Sequence, residues 1–347
     1  MRLTELGGTG LATSAVGLGL ASLARPGYIN LGHGTDFGGD LDPEHVRGNA
    51  VRVLDAAKEL GVLYFDAARS YGRAEEFLAH WLTERSVEPG GVTVGSKWGY
   101  TYTADWKVNA ETHEVKDHSL RTLRRQHRES MALLGPWLGL YQVHSATLES
   151  GILDDDAVLD ELATLRERGL RVGLTTSGTQ QSEVIRRAIG IERSGVRVFD
   201  TVQSTFNVLE RSAEGALREA HGSGLGVIVK EALANGRLTE RNGSLAPPVS
   251  AALSDAGSQT THDPTTSQFA AYEQAAFGHA TFDQVALAFV LAQDFVDVAL
   301  SGATTTGQLR SNVGALDLAN DLDLDVFAGL SQPVDEYWQD RSRLPWT

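Results

Sequence analysis

The chain has 347 residues, 41% hydrophobic and 22% charged, the balance of a protein that folds around a core. Its formal charge of −15 speaks against nucleic acid or an anionic membrane as partner, because both require basic surface. There is no cysteine, which excludes disulfides and thiolate metal sites, and no apolar run of about 18 residues or early leader-like segment. The expectation is a cytoplasmic protein that works on small molecules.

In chain order, residues 2–14 (RLTELGGTGLATS) place a Gly-Gly-Thr-Gly turn between short alternating segments and predict a β-hairpin. Residues 14–20 read as a first buried strand, followed by a Gly-rich loop to about Asp42. Asp42-Pro43 is an N-cap with proline at the first helical position, and Gly61 closes that helix. A strand over 62–66 (VLYFD) and a helix over 73–84 come next. Strand 92–97 (VTVGSK) precedes a helix near 117–133, and strand 138–144 (LGLYQVH) precedes a helix over 155–168. The same alternation continues through strand 171–175, helix 180–189, strand 198–202, helix 213–221 and strand 226–229. Helix 281–293, strand 296–300 and helix 306–316 complete it.

Apolar runs bounded by turns are buried parallel strands, and eight of them alternating with eight helices predict an α/β fold, the (β/α)8 TIM barrel, as one domain over 1–347. The N-terminal hairpin precedes the barrel. Residues 243–266, rich in Ser, Ala, Pro and Thr, read as a long mobile loop after strand seven. Residues 317–347 form a C-terminal extension, with an extra helix near 321–330 and a tail carrying Trp338 and Trp346 that folds over one end.

Three successive strands end in Asp66, Lys97 and His144, and barrels place strand C-termini on one rim. With Tyr71 five residues past Asp66, these side chains make a proton-transfer site. The segments Asp66-Ala67-Ala68-Arg69-Ser70-Tyr71-Gly72, Gly95-Ser96-Lys97 and Tyr141-Gln142-Val143-His144 resemble signature segments of the aldo-keto reductases, in order and on the matching strands. The resemblance implies Tyr71 as general acid/base, Lys97 and Asp66 as the pair that tunes it, and His144 as the donor that orients a carbonyl oxygen. A lysine ammonium beside a tyrosine stabilises the tyrosinate and is expected to lower its pKa from about 10.

The same resemblance implies a nicotinamide cofactor, NADP or NAD. Thr175, Thr176 and Gln203 match positions that hold the carboxamide, with Thr-Thr in place of the usual Ser-Asn. Lys230 stands where a ring usually stacks on the nicotinamide; its stem could pack there, or it could pair with surface charge beside Glu231. In SGATTTGQLRSN, Ser301, Gly302, Ala303, Thr304, Gln308 and Asn312 match the pyrophosphate and adenosine site at a helix start. Most relatives carry Lys or Arg there for a 2′-phosphate, whereas Thr304 and Gln308 are uncharged and only Arg310 is basic, so the preference between NADP and NAD stays open. Trp98 and Trp106, the loop over 27–42 and the C-terminal tail are expected to wall the substrate, a carbonyl or alcohol such as an aldehyde, ketone, sugar or ring alcohol.

Other patterns carry less. Gly17-Leu18-Gly19 does not complete a dinucleotide fingerprint, and no G-x-S-x-G elbow accompanies Ser145. His33, Asp36, Asp40, Asp42 and His45 match no metal spacing and read as a solvated loop, so no metal is expected. Two other functions compete with the reductase: a low-turnover dinucleotide-binding regulatory subunit, and a metal-dependent barrel hydrolase using Asp66 and His144. A monomer or weak homo-oligomer is expected.

Overall fold

A computed structural model describes residues 1–239, 241 and 280–347. Strands β1 (Leu3–Glu5) and β2 (Ala12–Ser14) pair antiparallel as the N-terminal hairpin. The barrel begins with β3 (Val16–Gly19), β4 (Tyr64–Asp66) and β5 (Thr93–Trp98). A second hairpin, β6 (Tyr100–Tyr102) with β7 (Glu114–Lys116), interrupts the repeat before β8 (Leu138–Ala146) and β9 (Arg171–Thr176). A small hairpin of β10 (Glu192–Arg193) and β11 (Val196–Arg197) precedes β12 (Thr201–Thr205), β13 (Gly226–Lys230) and β14 (Val298–Ser301).

The eight barrel strands are all parallel and close in chain order, with β14 returning to pair with β3. A helix follows each one, from Pro43–Glu59 after β3 to Thr306–Ala319 after β14. This is the expected (β/α)8 barrel. Caps set the helix starts: Asp42 accepts from Glu44 N at 2.9 Å, Asp155 from Val158 N at 3.1 Å, and Thr305 from Gln308 N at 3.3 Å.

The hairpin plugs the end of the barrel opposite the strand C-termini. Leu6 is buried inside it against Tyr64, Leu140, Ile228 and Val298. Each such side chain contributes about 1.5–3 kcal/mol by leaving water, which makes this end the rigid floor of the site above. Among the described residues no helix is long and apolar enough to cross a membrane.

Three expectations shift. The extra C-terminal helix is Val334–Ser342, whereas 321–330 holds only a 3-10 turn at Leu324–Phe327. There Asp323 turns its carboxylate onto Asp325 N at 3.0 Å, Gly329 adopts φ +82°, and Pro333 caps the later helix. Strand six starts at Thr201 instead of 198 because Val198 N bonds to Ile191 O, extending the β10–β11 hairpin. The two hairpins inside loops were not anticipated, and the expected mobile loop over 243–266 lies outside the described residues.

Candidate active site

Asp66 closes β4 and Lys97 lies on β5, both buried at the C-terminal end of the barrel. Lys97 Nζ donates to Asp66 Oδ2 and, at 3.1 Å, to Ala67 O. The other oxygen, Asp66 Oδ1, accepts from Tyr64 Oη at 3.1 Å, Gln203 Nε2 at 3.0 Å and Gln142 Nε2 at 3.3 Å. One carboxylate thus ties together β4, β5, β8 and β12. Gly95 makes this possible, since a Cβ there would lie 2.5 Å from Tyr64 Oη.

Tyr71 reaches the same rim from the loop after β4. The turn depends on Gly72, at φ +57°, where a Cβ would come within 2.5 Å of Ala24 O. His144 is two residues from the end of β8, at a break in register with β9 between Val143 and Ala146, where Ser145 takes φ +50°. A bulge of this kind re-aims a side chain, and here the His144 ring meets that of Tyr71 edge-on at 5.4 Å. His144 Nδ1 lies 3.4 Å from Ser70 Oγ. Lys97 Nζ sits 4.7 Å from the centre of the Tyr71 ring. All four proposed catalytic residues therefore converge.

Electrostatics correct one expectation. Burial, then the Asp66 carboxylate, push the Tyr71 hydroxyl well above its ordinary value, and Arg25 opposes them. The groups that set this direction are burial and the Asp66 carboxylate, while the hydrogen bonds of Lys97 go to Asp66 and Ala67. Burial also lowers Lys97 itself, against the pull of Asp66. His144 is held well below the usual histidine range by burial first, then by Lys97, Lys230 and Arg25, so it is neutral near pH 7.

A cavity of about 470 Å³ opens at Tyr71 and His144 and runs to Ser301, Gly302, Gln308 and Asn312. Gln203, Lys230 and Ala303 also line it; Thr175, Thr176 and Thr304 do not. Thr175 Oγ1 accepts from Ser145 N at 2.7 Å and so supports the bulge, while Thr176 donates to Ser204 Oγ at 3.0 Å; Ser177 lines the cavity instead. Thr304 is buried against Asp36 and Gln308. Lys230 and Glu231 are cavity walls, not surface charges. Lys230 donates to Thr205 Oγ1 at 2.8 Å, and burial lowers its pKa to about 8. Glu231 accepts from Arg341 Nε at 2.8 Å, and its pKa falls to about 2 through Arg341 and Lys230 despite burial.

The two tryptophans expected to wall the substrate do not line the cavity. Strand alternation sends Trp98 to the face opposite Lys97, where it packs edge-on to His118 at 5.6 Å. Trp106 donates to Leu41 O at 2.7 Å and packs near Phe77. Trp346 of the tail, with Tyr28, Arg25 and Glu114, lines this end instead. Trp346 stacks on His113 at 3.8 Å, and Tyr28 exchanges backbone hydrogen bonds with Thr347 at 3.1 Å each way. Of these only the tail and the 27–42 loop were signalled by sequence; Arg25 and Glu114 carried no motif. The solvated-loop reading also fails for His33, which is buried, and for Asp36, whose side chain is covered, although Asp40 and His45 form an exposed pair at 3.2 Å. Among the described residues, no three His, Asp or Glu side chains converge as metal ligands would.

The residues fit a dinucleotide. Asn235 Oδ1, in the cavity wall, is a buried acceptor with no partner among the described residues. Gly302 and Gly307 present bare backbone, and the first turn of Thr306–Ala319 has N–H groups to offer a phosphate.

Fold and site together define a (β/α)8 barrel with a Tyr–Lys–Asp–His rim above an elongated cavity. The sequence profile of the aldo/keto reductase family matches residues 30–332, and the chain belongs to that family of oxidoreductases. It is 25% identical over 352 residues to an uncharacterized oxidoreductase, YrpG, of Bacillus subtilis, covering 95% of this chain and 97% of the relative. It is 29% identical over 157 residues to pyridoxal 4-dehydrogenase of Microbacterium luteolum, covering 40% of this chain and 42% of that one. The holo form of the aldo-keto reductase AKR11C1 from Bacillus halodurans superposes with a TM-score of 0.67 at 20% identity, over 96% of this chain and 97% of its own.

Proposed function

We propose that the protein is a nicotinamide-dependent oxidoreductase acting on a carbonyl or alcohol carbon of a small molecule, with Tyr71 as general acid/base. The observation that carries this reading is the single cavity that joins Tyr71 and His144 to Ser301, Gln308 and Asn312. A bound NAD or NADP would supply or accept the hydride; the remaining tasks fall to the chain.

A substrate oxygen between Tyr71 and His144 meets two donors. Ser70 Oγ lies 3.4 Å from His144 Nδ1, and the tautomer in which Nδ1 accepts from that hydroxyl leaves the ring proton on Nε2 to donate to the substrate oxygen and hold it in place. The raised Tyr71 hydroxyl arrives protonated and gives its proton as negative charge develops on the oxygen. In the reverse direction the same hydroxyl recovers it, with Arg25 and the Asp66-anchored Lys97 near the ring to stabilise the transient tyrosinate. Gln203 orients the nicotinamide end, and Lys230 packs its stem there while keeping its ammonium on Thr205.

The protein acts in this reading as one domain, as a monomer or weak homo-oligomer in the cytoplasm. Trp346, Tyr28, Arg25 and Glu114 together give this end aromatic edges and charged groups, which suits a ring-bearing polar substrate; pyridoxal and aldoses are the first to assay. Tyr71→Phe tests the role: turnover is expected to fall by about 10²–10⁴ with nucleotide binding retained. A variant of undiminished turnover would remove Tyr71 from the mechanism.

A further inference from the structure

The end of the cavity far from Tyr71 carries an arrangement of charge that the proposed chemistry does not use. Asp36, from the loop after β3, is 2% exposed in its side chain. It accepts from Thr304 Oγ1, from Arg241 Nη1 at 3.1 Å and from Gln308 Nε2 at 3.3 Å. Gln308 Oε1 in turn accepts from Thr304 N at 2.8 Å. The side-chain donors at the start of helix Thr306–Ala319 are therefore already turned onto a carboxylate.

Arg241 is the one Lys or Arg among the described residues lining this end, and Asp36 pairs with it. A second carboxylate, Asp283, lines the same end and accepts from Ser311 Oγ at 2.8 Å. Asp283 is thus the carboxylate at the wall itself, while Asp36 lies just behind it and holds Arg241. Asn235 Oδ1, buried in the wall with no partner among the described residues, adds another acceptor that asks for a donor. Acceptors of this kind suit sugar hydroxyls and repel a phosphate dianion.

We infer that Asp36 is a specificity-determining residue that selects a dinucleotide with a free ribose 2′-hydroxyl, NAD or NADH, against its 2′-phosphorylated counterpart. The inference rests on the proposed function, which sets the nicotinamide at Tyr71 and hence the adenosine at this end. The carboxylate acts from behind the wall, by occupying Thr304, Gln308 and Arg241, the groups that could otherwise hold a phosphate.

The test is titration calorimetry of the full chain with NADH and with NADPH, wild type beside Asp36→Asn. The wild type is expected to bind NADH at least about tenfold tighter, about 1.4 kcal/mol, because the donors a 2′-phosphate would need are already held by Asp36. Asp36→Asn is expected to close most of that gap, chiefly by tightening NADPH. A wild type that binds NADPH as tightly as NADH overturns the inference while leaving the oxidoreductase reading intact. So does a variant whose two affinities change in parallel, the mark of a merely structural Asp36. A folded wild type that binds neither overturns the oxidoreductase reading and the inference with it. Because the substitution could disturb the loop, adenosine 2′,5′-bisphosphate and 5′-AMP are also titrated into the wild type. Weaker binding of the bisphosphate is expected, and equal or tighter binding of it counts against Asp36.

Discussion

Replacing Asp66 by asparagine should destabilise the fold more than removing its lysine partner, and the reason lies in how each is satisfied. In Asp66→Asn the ammonium of Lys97, 1% exposed, keeps only Ala67 O at 3.1 Å as a charge-complementary contact. An uncompensated buried charge costs about 3–5 kcal/mol. In Lys97→Met the Asp66 carboxylate still accepts from Tyr64, Gln142 and Gln203, and the loss is expected to be about 1–3 kcal/mol. For 347 residues the unfolding entropy near Tm is about 0.7 kcal/mol/K, so these convert to drops of about 4–7 °C and 1–4 °C. The double variant Asp66→Asn/Lys97→Met should unfold above Asp66→Asn alone.

A pH series separates charge from packing in the same variants. A lone buried lysine has a folded pKa below its unfolded value of about 10.4. Between the two values the unfolded chain binds the extra proton, so stability of Asp66→Asn rises with pH toward 10.4, relative to the double variant. Thermal unfolding followed by circular dichroism from about pH 7 to pH 10 reads this directly. Refutation would be Lys97→Met falling further than Asp66→Asn, or a deficit in Asp66→Asn that does not shrink as the pH rises.

Acid should destabilise the protein through its histidines. Burial lowers His33 and His118 to about 4, and His144 lies well below the usual range. Below about pH 6.5 the unfolded chain takes up protons that the folded one refuses, so stability is lost as pH falls through that window, by at most about 1.4 kcal/mol per unit for each group. His33→Phe, which keeps the edge contacts to Tyr28 and Phe37, should flatten the slope between pH 6.5 and 4, and an unchanged slope would contradict the assignment. Gly72→Ala should cost about 1–3 kcal/mol and impair turnover beyond its effect on stability, because Tyr71 must shift with the turn; normal kcat in a destabilised variant would argue against that coupling. Trp346→Ala should raise KM for substrate while Trp98→Phe should leave it unchanged, and the opposite ranking would return Trp98 to the cavity wall.

The barrel was readable because parallel strands buried on both faces are continuous apolar runs, and the runs stop where a polar side chain meets the rim. Asp66, Lys97 and His144 all follow that rule. Period alone also contained the answer for Trp98, since its neighbour Lys97 points inward. What sequence did not reveal is made by contacts distant along the chain. Asp36 meets Thr304 across 268 positions and Arg241 across 205, and no local pattern marks either. Arg25 and Trp346 likewise become neighbours only when the tail folds back onto Tyr28. The sign of the Tyr71 shift depends on burial and on the nearness of the Asp66 carboxylate, neither of which residue identity reveals.

The central claim, that this cavity holds a nicotinamide dinucleotide with its reactive ring at Tyr71, is tested most directly by a crystal structure of the protein with NADH. The account predicts density for the nicotinamide against Tyr71, His144 and Gln203, the diphosphate at Gly302 and Gly307, and the adenosine between Gln308, Asn312 and Asn235. A dinucleotide bound elsewhere, or one seated with its adenosine at Tyr71, would contradict it.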